Sequence, residues 1–279
     1  MLNITLRELL EAGCHFGHQV SRWNPKAREF IYQARDGIHI IDLAKTKKGL
    51  EEAYEFLVNQ VSVGKTVIFV GTKRQGKAIL REEAERCGVY FIAERWVGGL
   101  LTNWEEVKKN LDKIRRLETK IKNEEGIYKK SEVGRFQFDL KKLLKFYDGI
   151  RELKAIPDVM FVLDIKKEAN AVSEAEKRDV ASIGIVDTNS DPAKVNYPVP
   201  ANDDAVGSIK KLVVIMADAV LEGRAIFEKN QAKVAKKAEE DQAKREKQAE
   251  MELEKANKKA EVTEVKQAVK KVAKVAKKS

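Results

Sequence analysis

Residues 67–78 read Val67-Ile68-Phe69-Val70-Gly71-Thr72-Lys73-Arg74-Gln75-Gly76-Lys77-Ala78. The four apolar residues at the start predict a buried β-strand, and a helical pattern follows from Gln75 to Cys87, with Gly88 as its C-terminal stop. A second apolar run, 159–163, is followed by a helical pattern at 167–177, and a third run covers 183–186. Strands that are apolar along their whole length and alternate with helices indicate a parallel sheet covered on both faces, and hence an α/β fold.

The sequence predicts one α/β globular domain, interrupted by an insertion. The domain comprises residues 1–103 and 154–227, with shorter strands at Ile38–Ile41 and Tyr90–Ile92 and a long closing helix at Asp203–Phe227. In the insertion, 104–153, the apolar residues follow two heptad seams: Val107, Leu111, Ile114 and Ile121, then Phe136, Leu140, Leu143, Tyr147 and Ile150. This spacing predicts an antiparallel coiled-coil hairpin. Two ordinary packed helices would give nearly the same pattern.

The C-terminal segment, residues 228–279, has a composition of its own. From Lys229 onward it contains 16 Lys and Arg against 9 Asp and Glu, so it carries +7 of the net charge of +10. After Phe227 the chain has no aromatic, Pro or Gly residue. We therefore expect a basic tail, disordered or helical, which either binds an anionic partner or only improves solubility. Because only +3 remains for the rest of the chain, nucleic-acid binding by the globular domain must depend on local clusters of cations.

Cysteine content and hydropathy bear on where the protein works. Cys14 and Cys87 are the two cysteines, which does not suggest a disulfide framework and favours a reduced compartment. The first ten residues lack the apolar run of a signal peptide, and no run of about 18 apolar residues could cross a membrane. We expect a cytoplasmic protein with no membrane partner.

The loop at 71–78 is the feature that most resembles an enzyme. It nearly matches the phosphate-binding pattern G-x-x-x-x-G-K-[ST], and Asp164 follows an apolar strand as a Walker-B acid would. However, Ala78 stands where the pattern requires the hydroxyl that holds Mg²⁺. A basic loop between a strand and a helix can also bind an RNA phosphate without any chemistry. We therefore predict no enzyme activity and no cofactor, and keep a P-loop-like nucleotide-binding protein as the alternative.

A metal site is conceivable near the N-terminus. Cys14, His15 and His18 place three potential ligands within five positions, but a structural zinc site normally needs a fourth. A packed, hydrogen-bonded pair of histidines explains the same residues, so we predict no metal.

Seven stretches, in this order, resemble one family, the bacterial small-ribosomal-subunit protein S2 family. They are Leu10-Glu11-Ala12-Gly13-Cys14-His15-Phe16-Gly17-His18-Gln19, Arg22-Trp23-Asn24-Pro25-Lys26, Gly71-Thr72-Lys73-Arg74, Arg95-Trp96-Val97-Gly98-Gly99-Leu100-Leu101-Thr102-Asn103-Trp104, Pro157-Asp158, Asp187-Thr188-Asn189-Ser190-Asp191-Pro192 and Asn202-Asp203-Asp204-Ala205. Their order and spacing cover roughly 6–227. Two features depart from the family pattern: Cys14 replaces a small apolar residue before His15, and the basic tail extends beyond a typical bacterial member.

The resemblance implies a flavodoxin-like parallel sheet with a protruding coiled-coil hairpin. It implies a structural constituent of the small ribosomal subunit that binds 16S ribosomal RNA, on the solvent side where head meets body. It also implies protein neighbours, including the large OB-fold protein that delivers mRNA. No member is known for catalysis, which weighs further against the nucleotide-binding alternative.

Candidate RNA contacts are the cations that cluster beside loops. The first cluster consists of Arg22, Lys26 and Arg28, which surround Trp23 in the sequence. The three cations offer charge for phosphate, and the tryptophan offers a ring for stacking or packing. Lys73, Arg74 and Lys77 follow the end of the strand at 67–70, and Arg95 precedes the Gly98-Gly99 pair, where backbone can approach RNA closely. Burial in the core is the alternative for the tryptophans, and ordinary surface charge is the alternative for the cations.

Overall fold

The computed structural model describes residues 2, 4–122 and 128–233. Residues Met1–Phe227 belong to one compact unit, and of the segment after it the structure describes only 228–233, so the rest of the predicted basic tail lies outside the described residues. The helices are α1 (Leu6–Glu11), α2 (Leu43–Ser62), α3 (Lys77–Cys87), α4 (Trp104–Lys122), α5 (Lys130–Tyr147), α6 (Ala169–Lys177) and α7 (206–233). The strands are β1 (Phe16–Gln19), β2 (Ile31–Arg35), β3 (Ile38–Ile41), β4 (Val67–Val70), β5 (Tyr90–Ile92), β6 (Val159–Val162), β7 (Ala181–Val186) and β8 (Tyr197–Pro200). In this part of the chain no helix is both long and apolar enough to cross a membrane.

The core is a five-stranded parallel sheet in the order β5-β4-β6-β7-β8. Renumbered from its first strand this is 2-1-3-4-5, the strand order of flavodoxin-like doubly wound folds. Alternate residues of each strand face opposite sides of the sheet, because side chains in a strand have a period of two. Phe69 and Phe161 face α2, α3 and α7, whereas Ile68 and Met160 face α4 and α6. The prediction of an α/β fold with a parallel sheet flanked by helices is confirmed.

A second, antiparallel sheet has the order β1-β3-β2. We expected Ile38–Ile41 as a short strand, and it forms the central strand of this small sheet, but its two neighbours were not predicted. The β2–β3 turn contains Asp36 and Gly37, both with positive φ (53° and 78°). An Asp-Gly pair between two short apolar runs is a hairpin signal that could have revealed this turn.

The strand β8 was also missed. Its sequence, Tyr197-Pro198-Val199-Pro200, contains two prolines, which normally argue against a central strand because they lack an N–H donor. As β8 lies at the edge of the five-stranded sheet, only one of its sides pairs with a neighbour. The prolines are compatible with this position.

The inserted segment contains two helices that pack against one another, α4 and α5. The apolar stripe of α4, which includes Val107, Leu111 and Ile114, is buried in the same cluster as the sheet residues Ile68 and Val162. The helix α5 buries no residue completely, and its apolar side chains only pack against the margin of that cluster. Thus α4 covers the sheet, and the protruding coiled coil stays a prediction.

The unequal packing of the two helices can be tested by truncating one side chain in each. Leu111→Ala should lower the free energy of unfolding by about 2–5 kcal/mol, because a fully buried leucine leaves a cavity, and Leu111 is 1% exposed. Leu140→Ala on α5 should cost less, since Leu140 is only partly buried. The control is Phe138→Ala, which removes a side chain that is 69% exposed. Urea unfolding followed by circular dichroism measures the three, and equal losses for Leu111 and Phe138 would contradict this packing.

Candidate functional site

Charged side chains converge where the strands of the five-stranded sheet end. The ammonium of Lys73, in the loop after β4, lies 2.7 Å from Asp203 Oδ1, 2.7 Å from Asp204 Oδ1 and 3.1 Å from Asp164 Oδ2. The Lys73 side chain is only 12% exposed, so its charge is largely withdrawn from solvent. A buried charge is costly unless it is paired, and three carboxylates provide that pairing. We call Lys73, Asp164, Asp187, Asp203, Asp204 and His18 the Lys73 cluster.

The order of the strands explains why these residues meet. Asp164 follows β6 and Asp203 follows β8, and the ends of parallel strands share one edge of the sheet. The neighbours β4 and β6 are joined to helices on opposite faces, so Lys73 and Asp164 flank the switch point at which doubly wound folds bind their ligands. In this protein the switch point is occupied by an internal ion pair.

The imidazole of His18 joins the small sheet to this edge. Its Nδ1 lies 3.0 Å from Asp187 Oδ1 and its Nε2 3.4 Å from Asp204 Oδ2. The backbone N–H of His18 donates to Thr188 Oγ1 at 2.9 Å. A Cβ at Gly17 would lie 2.7 Å from Thr188 Cγ2, so only glycine allows β1 to approach this loop so closely. The hydrogen bond to Asp187 raises the pKa of His18 and outweighs the opposite effect of burial.

Acidic groups outnumber cations in the Lys73 cluster. Four carboxylates face one ammonium and one imidazole. Burial, together with the nearby charges of Asp164 and Asp187, raises the pKa of Asp203 to about 7. Burial lowers the pKa of Lys73, but Asp203, Asp204 and Asp164 raise it by more, so Lys73 remains charged. The excess of carboxylates therefore favours the positively charged forms of Lys73 and His18.

Three members of the Lys73 cluster could hold a metal ion. Ligand atoms of His18, Asp203 and Asp204 lie within 4.8 Å of one another. Among the described residues, this is the group of His, Cys, Asp and Glu side chains that is close enough together to hold a metal ion. Imidazole and carboxylate ligands suit a divalent cation, but the Lys73 ammonium already binds both aspartates. The hypothesis of a site at Cys14, His15 and His18 is not supported, since Cys14 is packed in the main core cluster. The alternative was a packed, hydrogen-bonded pair of histidines. His18 has hydrogen-bond partners, whereas Nδ1 of His15 is buried without one.

The loop that resembles a P-loop is engaged in contacts within the protein. The ammonium of Lys77, which would bind phosphate, lies 2.8 and 3.1 Å from the two carboxylate oxygens of Glu94. Asp164, the Walker-B-like acid, accepts the backbone N–H of Lys166 and Lys167 besides its ion pair with Lys73. A Cβ at Gly76 would lie 2.3 Å from Leu163 Cδ2, so packing alone requires this glycine. The nucleotide-binding alternative finds no support in this geometry.

The other predicted RNA-contact residues are largely at the surface. Arg22, Arg28, Arg74 and Arg95 are exposed, and none has an ion pair within the part of the chain that the structure describes. Lys26 binds Asp191 Oδ2 at 2.7 Å across 165 residues of sequence. Trp23 is half-buried, with its ring centroid 5.5 Å from that of His39. The structure therefore pairs Lys26, Lys73 and Lys77 with carboxylates and leaves the four arginines available.

A carboxylate in α6 that sequence reasoning missed organises the loop after Arg95. Glu174 accepts hydrogen bonds from Trp96 Nε1 and the Gly99 N–H, both at 2.9 Å, and from the N–H groups of Leu101 and Thr102 at 3.2 and 3.3 Å. Burial raises the pKa of Glu174, but these bonds lower it by more, so the group remains ionised. The Trp96 side chain is buried, and the Gly98-Gly99 pair belongs to a loop folded around this acid. A lone glutamate on an amphipathic helix gives no sequence signal of this role.

The ion pairs of Lys73 can be tested by removing its charge. Lys73→Met should lower the free energy of unfolding at neutral pH by about 3–5 kcal/mol, because buried carboxylates lose their cation. Arg74→Met, next to it and exposed, is the matched control and should change stability by less than about 0.5 kcal/mol. Denaturant titration measures both, and a stable Lys73→Met protein would show that the ion cluster is dispensable.

The hydrogen bonds accepted by Glu174 can be tested by removing its carboxylate. Glu174→Ala should cost about 3 kcal/mol at neutral pH, since it leaves an indole and several amides without their charged acceptor. Because the folded-state pKa of Glu174 is lowered, its contribution is present above the ordinary glutamate pKa and is lost as pH falls through the folded value. Glu176→Ala, exposed on the same helix, is the control. Thermal unfolding between pH 7 and pH 3 should show the two variants converging, and a pH-independent difference would refute the role of the carboxylate.

The fold and the site together define a doubly wound α/β protein whose switch-point crevice is closed by its own ion pairs. A family model described as Ribosomal protein S2 matches residues 9–223. The chain is 48% identical over 242 residues to the small ribosomal subunit protein uS2 of Dictyoglomus turgidum, covering 86% of this chain and 98% of that protein. It is 47% identical over 242 residues to the uS2 protein of Dictyoglomus thermophilum, with the same coverage, and 44% over 241 residues to that of Endomicrobium trichonymphae, covering 85% and 98%. The chain belongs to the ribosomal protein S2 family, which is not a family of enzymes.

Proposed function

We propose that the protein is a structural constituent of the small ribosomal subunit that binds 16S ribosomal RNA and thereby supports translation. The names of its relatives place them in the small subunit, and nearly their whole length is matched. The proposal includes contacts with neighbouring ribosomal proteins, the large OB-fold mRNA-binding protein among them, and a cytoplasmic location. It also keeps the division into an α/β domain, an inserted helical hairpin at 104–153 and a basic tail at 228–279.

The distribution of charge is the observation that carries the RNA-binding part. The helices α4 and α5 contain twelve Lys and Arg against six Asp and Glu. Residues 1–228 as a whole carry only +3, so the remainder of that segment is net negative. Phosphate contacts by Lys and Arg dominate the affinity of proteins for nucleic acids. Among the described residues, the inserted helices therefore have the excess of positive charge that is best suited to bind RNA.

Several of these cations are free to contact phosphate. Lys109 and Arg115 on α4 are paired with acids of their own helix, but Lys141, Lys142 and Lys145 on α5 have no ion pair within the described residues. We add to this surface the exposed arginines Arg22, Arg28, Arg74 and Arg95. Lys73 is assigned to the internal ion cluster instead.

Salt-dependent binding of transcribed 16S ribosomal RNA to the full-length protein tests this proposal. The double variant Lys141→Gln/Lys142→Gln should weaken binding and reduce the slope of log affinity against log salt by about 2, because roughly one unit is lost with each phosphate contact. Lys47→Gln/Lys48→Gln removes the same charge from α2, where both lysines lie near glutamates, and should change little. Equal slopes for the two doubles would exclude α5 as the RNA surface. A protein that does not cosediment with small subunits from cell extract would refute the function itself.

A further inference from the structure

A groove of about 370 Å³ lies between the first turn of α3, the strand β5 and the last turn of α5. Apolar and aromatic side chains line it, among them Phe91, Leu144 and Phe146. Ala78, exposed on α3, and Lys145 lie at its sides. This volume lies at the lower end of the range of pockets that bind small molecules.

The charges of the groove leave one cation available. Lys77 is bound by Glu94, and Arg81 donates to Glu85 Oε1 at 3.0 Å and to Asp148. The two carboxylates neutralise Arg81 and hold its guanidinium in place, 5.5 Å from the centroid of the Phe91 ring. Lys145 has no ion pair within the described residues. A ligand in the groove therefore meets two planar groups, the Phe146 ring and the Arg81 guanidinium, and the Lys145 ammonium, which lies 5.6 Å from the centroid of the Phe146 ring.

This combination fits a nucleotide. Bases that are not paired stack on aromatic rings and on guanidinium planes, while their phosphates bind lysines. Lys145 lies four residues after Lys141 and three after Lys142, so the three share one face of α5 and connect the groove to the basic surface described above. A carboxylate ligand such as an acidic peptide would use Lys145 but not the stacking surfaces.

We propose that this groove binds a single unpaired nucleotide of RNA, with its base against Phe146 and Arg81 and its phosphate at Lys145. The inference rests on the proposed RNA-binding function and names one position where the protein distinguishes single-stranded from paired RNA. Bases inside a duplex are stacked on their neighbours and cannot enter, so the groove selects a loop, a bulge or a strand end.

The experiment compares two RNA probes with the full-length protein by fluorescence anisotropy. One is a twelve-nucleotide oligo(A), and the other is the duplex of oligo(A) with oligo(U) of the same length. Phe146→Ala should weaken oligo(A) binding about tenfold, as expected for one lost stacking contact, and leave duplex binding and the salt slope unchanged. Phe138→Ala, an exposed aromatic on the same helix outside the groove, should have no effect.

A second pair of variants avoids any loss of packing at Phe146. Ala78→Glu places a carboxylate inside the groove and should also reduce oligo(A) binding about tenfold or more, whereas Asn59→Glu makes the same charge change on α2 and should not. If Phe146→Ala and Ala78→Glu bind oligo(A) as their controls do, or weaken the duplex equally, the groove proposal is wrong while 16S RNA binding stands. If the unaltered protein binds neither probe nor 16S ribosomal RNA, the proposed function fails with it.

Discussion

The interaction on which the structure depends is the enclosure of the Lys73 ammonium by Asp203, Asp204 and Asp164. These residues come from the ends of β4 and β6 and from the segment before α7, so the ion pairs join two neighbouring strands of the sheet to the start of α7. Apolar packing brings strands and helices together without fixing their exact position, because it has no direction. A lysine with three carboxylate partners does have direction, and removing one partner leaves an uncompensated charge. We therefore regard this cluster as what fixes the carboxyl edge of the sheet.

The same constraint explains why the most enzyme-like part of the sequence does not form an open phosphate site. In a doubly wound fold the switch point is the natural position for a ligand. Here an internal cation occupies it, and Lys77 is turned to Glu94 instead of to an open loop. His18 connects the small antiparallel sheet to the acidic side of the cluster. The edge at which such folds bind a ligand therefore connects the two sheets in this protein.

With the crevice closed, the surface that we propose for RNA lies elsewhere. Lys141, Lys142 and Lys145 on α5 are exposed. Neither these lysines nor the exposed arginines of the loops have an ion pair in the described part of the chain. Glu174, in contrast, is a charge used within the protein. Its carboxylate accepts hydrogen bonds from an indole and from backbone amides, and these bonds give the loop at 95–102 a defined shape. Internal ion pairs and hydrogen bonds thus shape the loops, while unpaired charges remain for binding.

The sequence by itself determined the strands β4, β6 and β7 and the helices α3 and α6 that follow β4 and β6, because their apolar runs and periods are local properties. It also indicated the family and the concentration of positive charge. It did not show β8, whose prolines hide an edge strand, or the small sheet. Nor did it show the role of the site residues. We expected Lys73 to contact an RNA phosphate, but it binds Asp203, which is 130 residues away in the sequence. Trp96 and its hydrogen-bond partner Glu174 are separated by 78 residues. Only the tertiary structure decides such pairs, because the ends of parallel strands meet in space after long crossover connections, and no local pattern records which charges will then be neighbours.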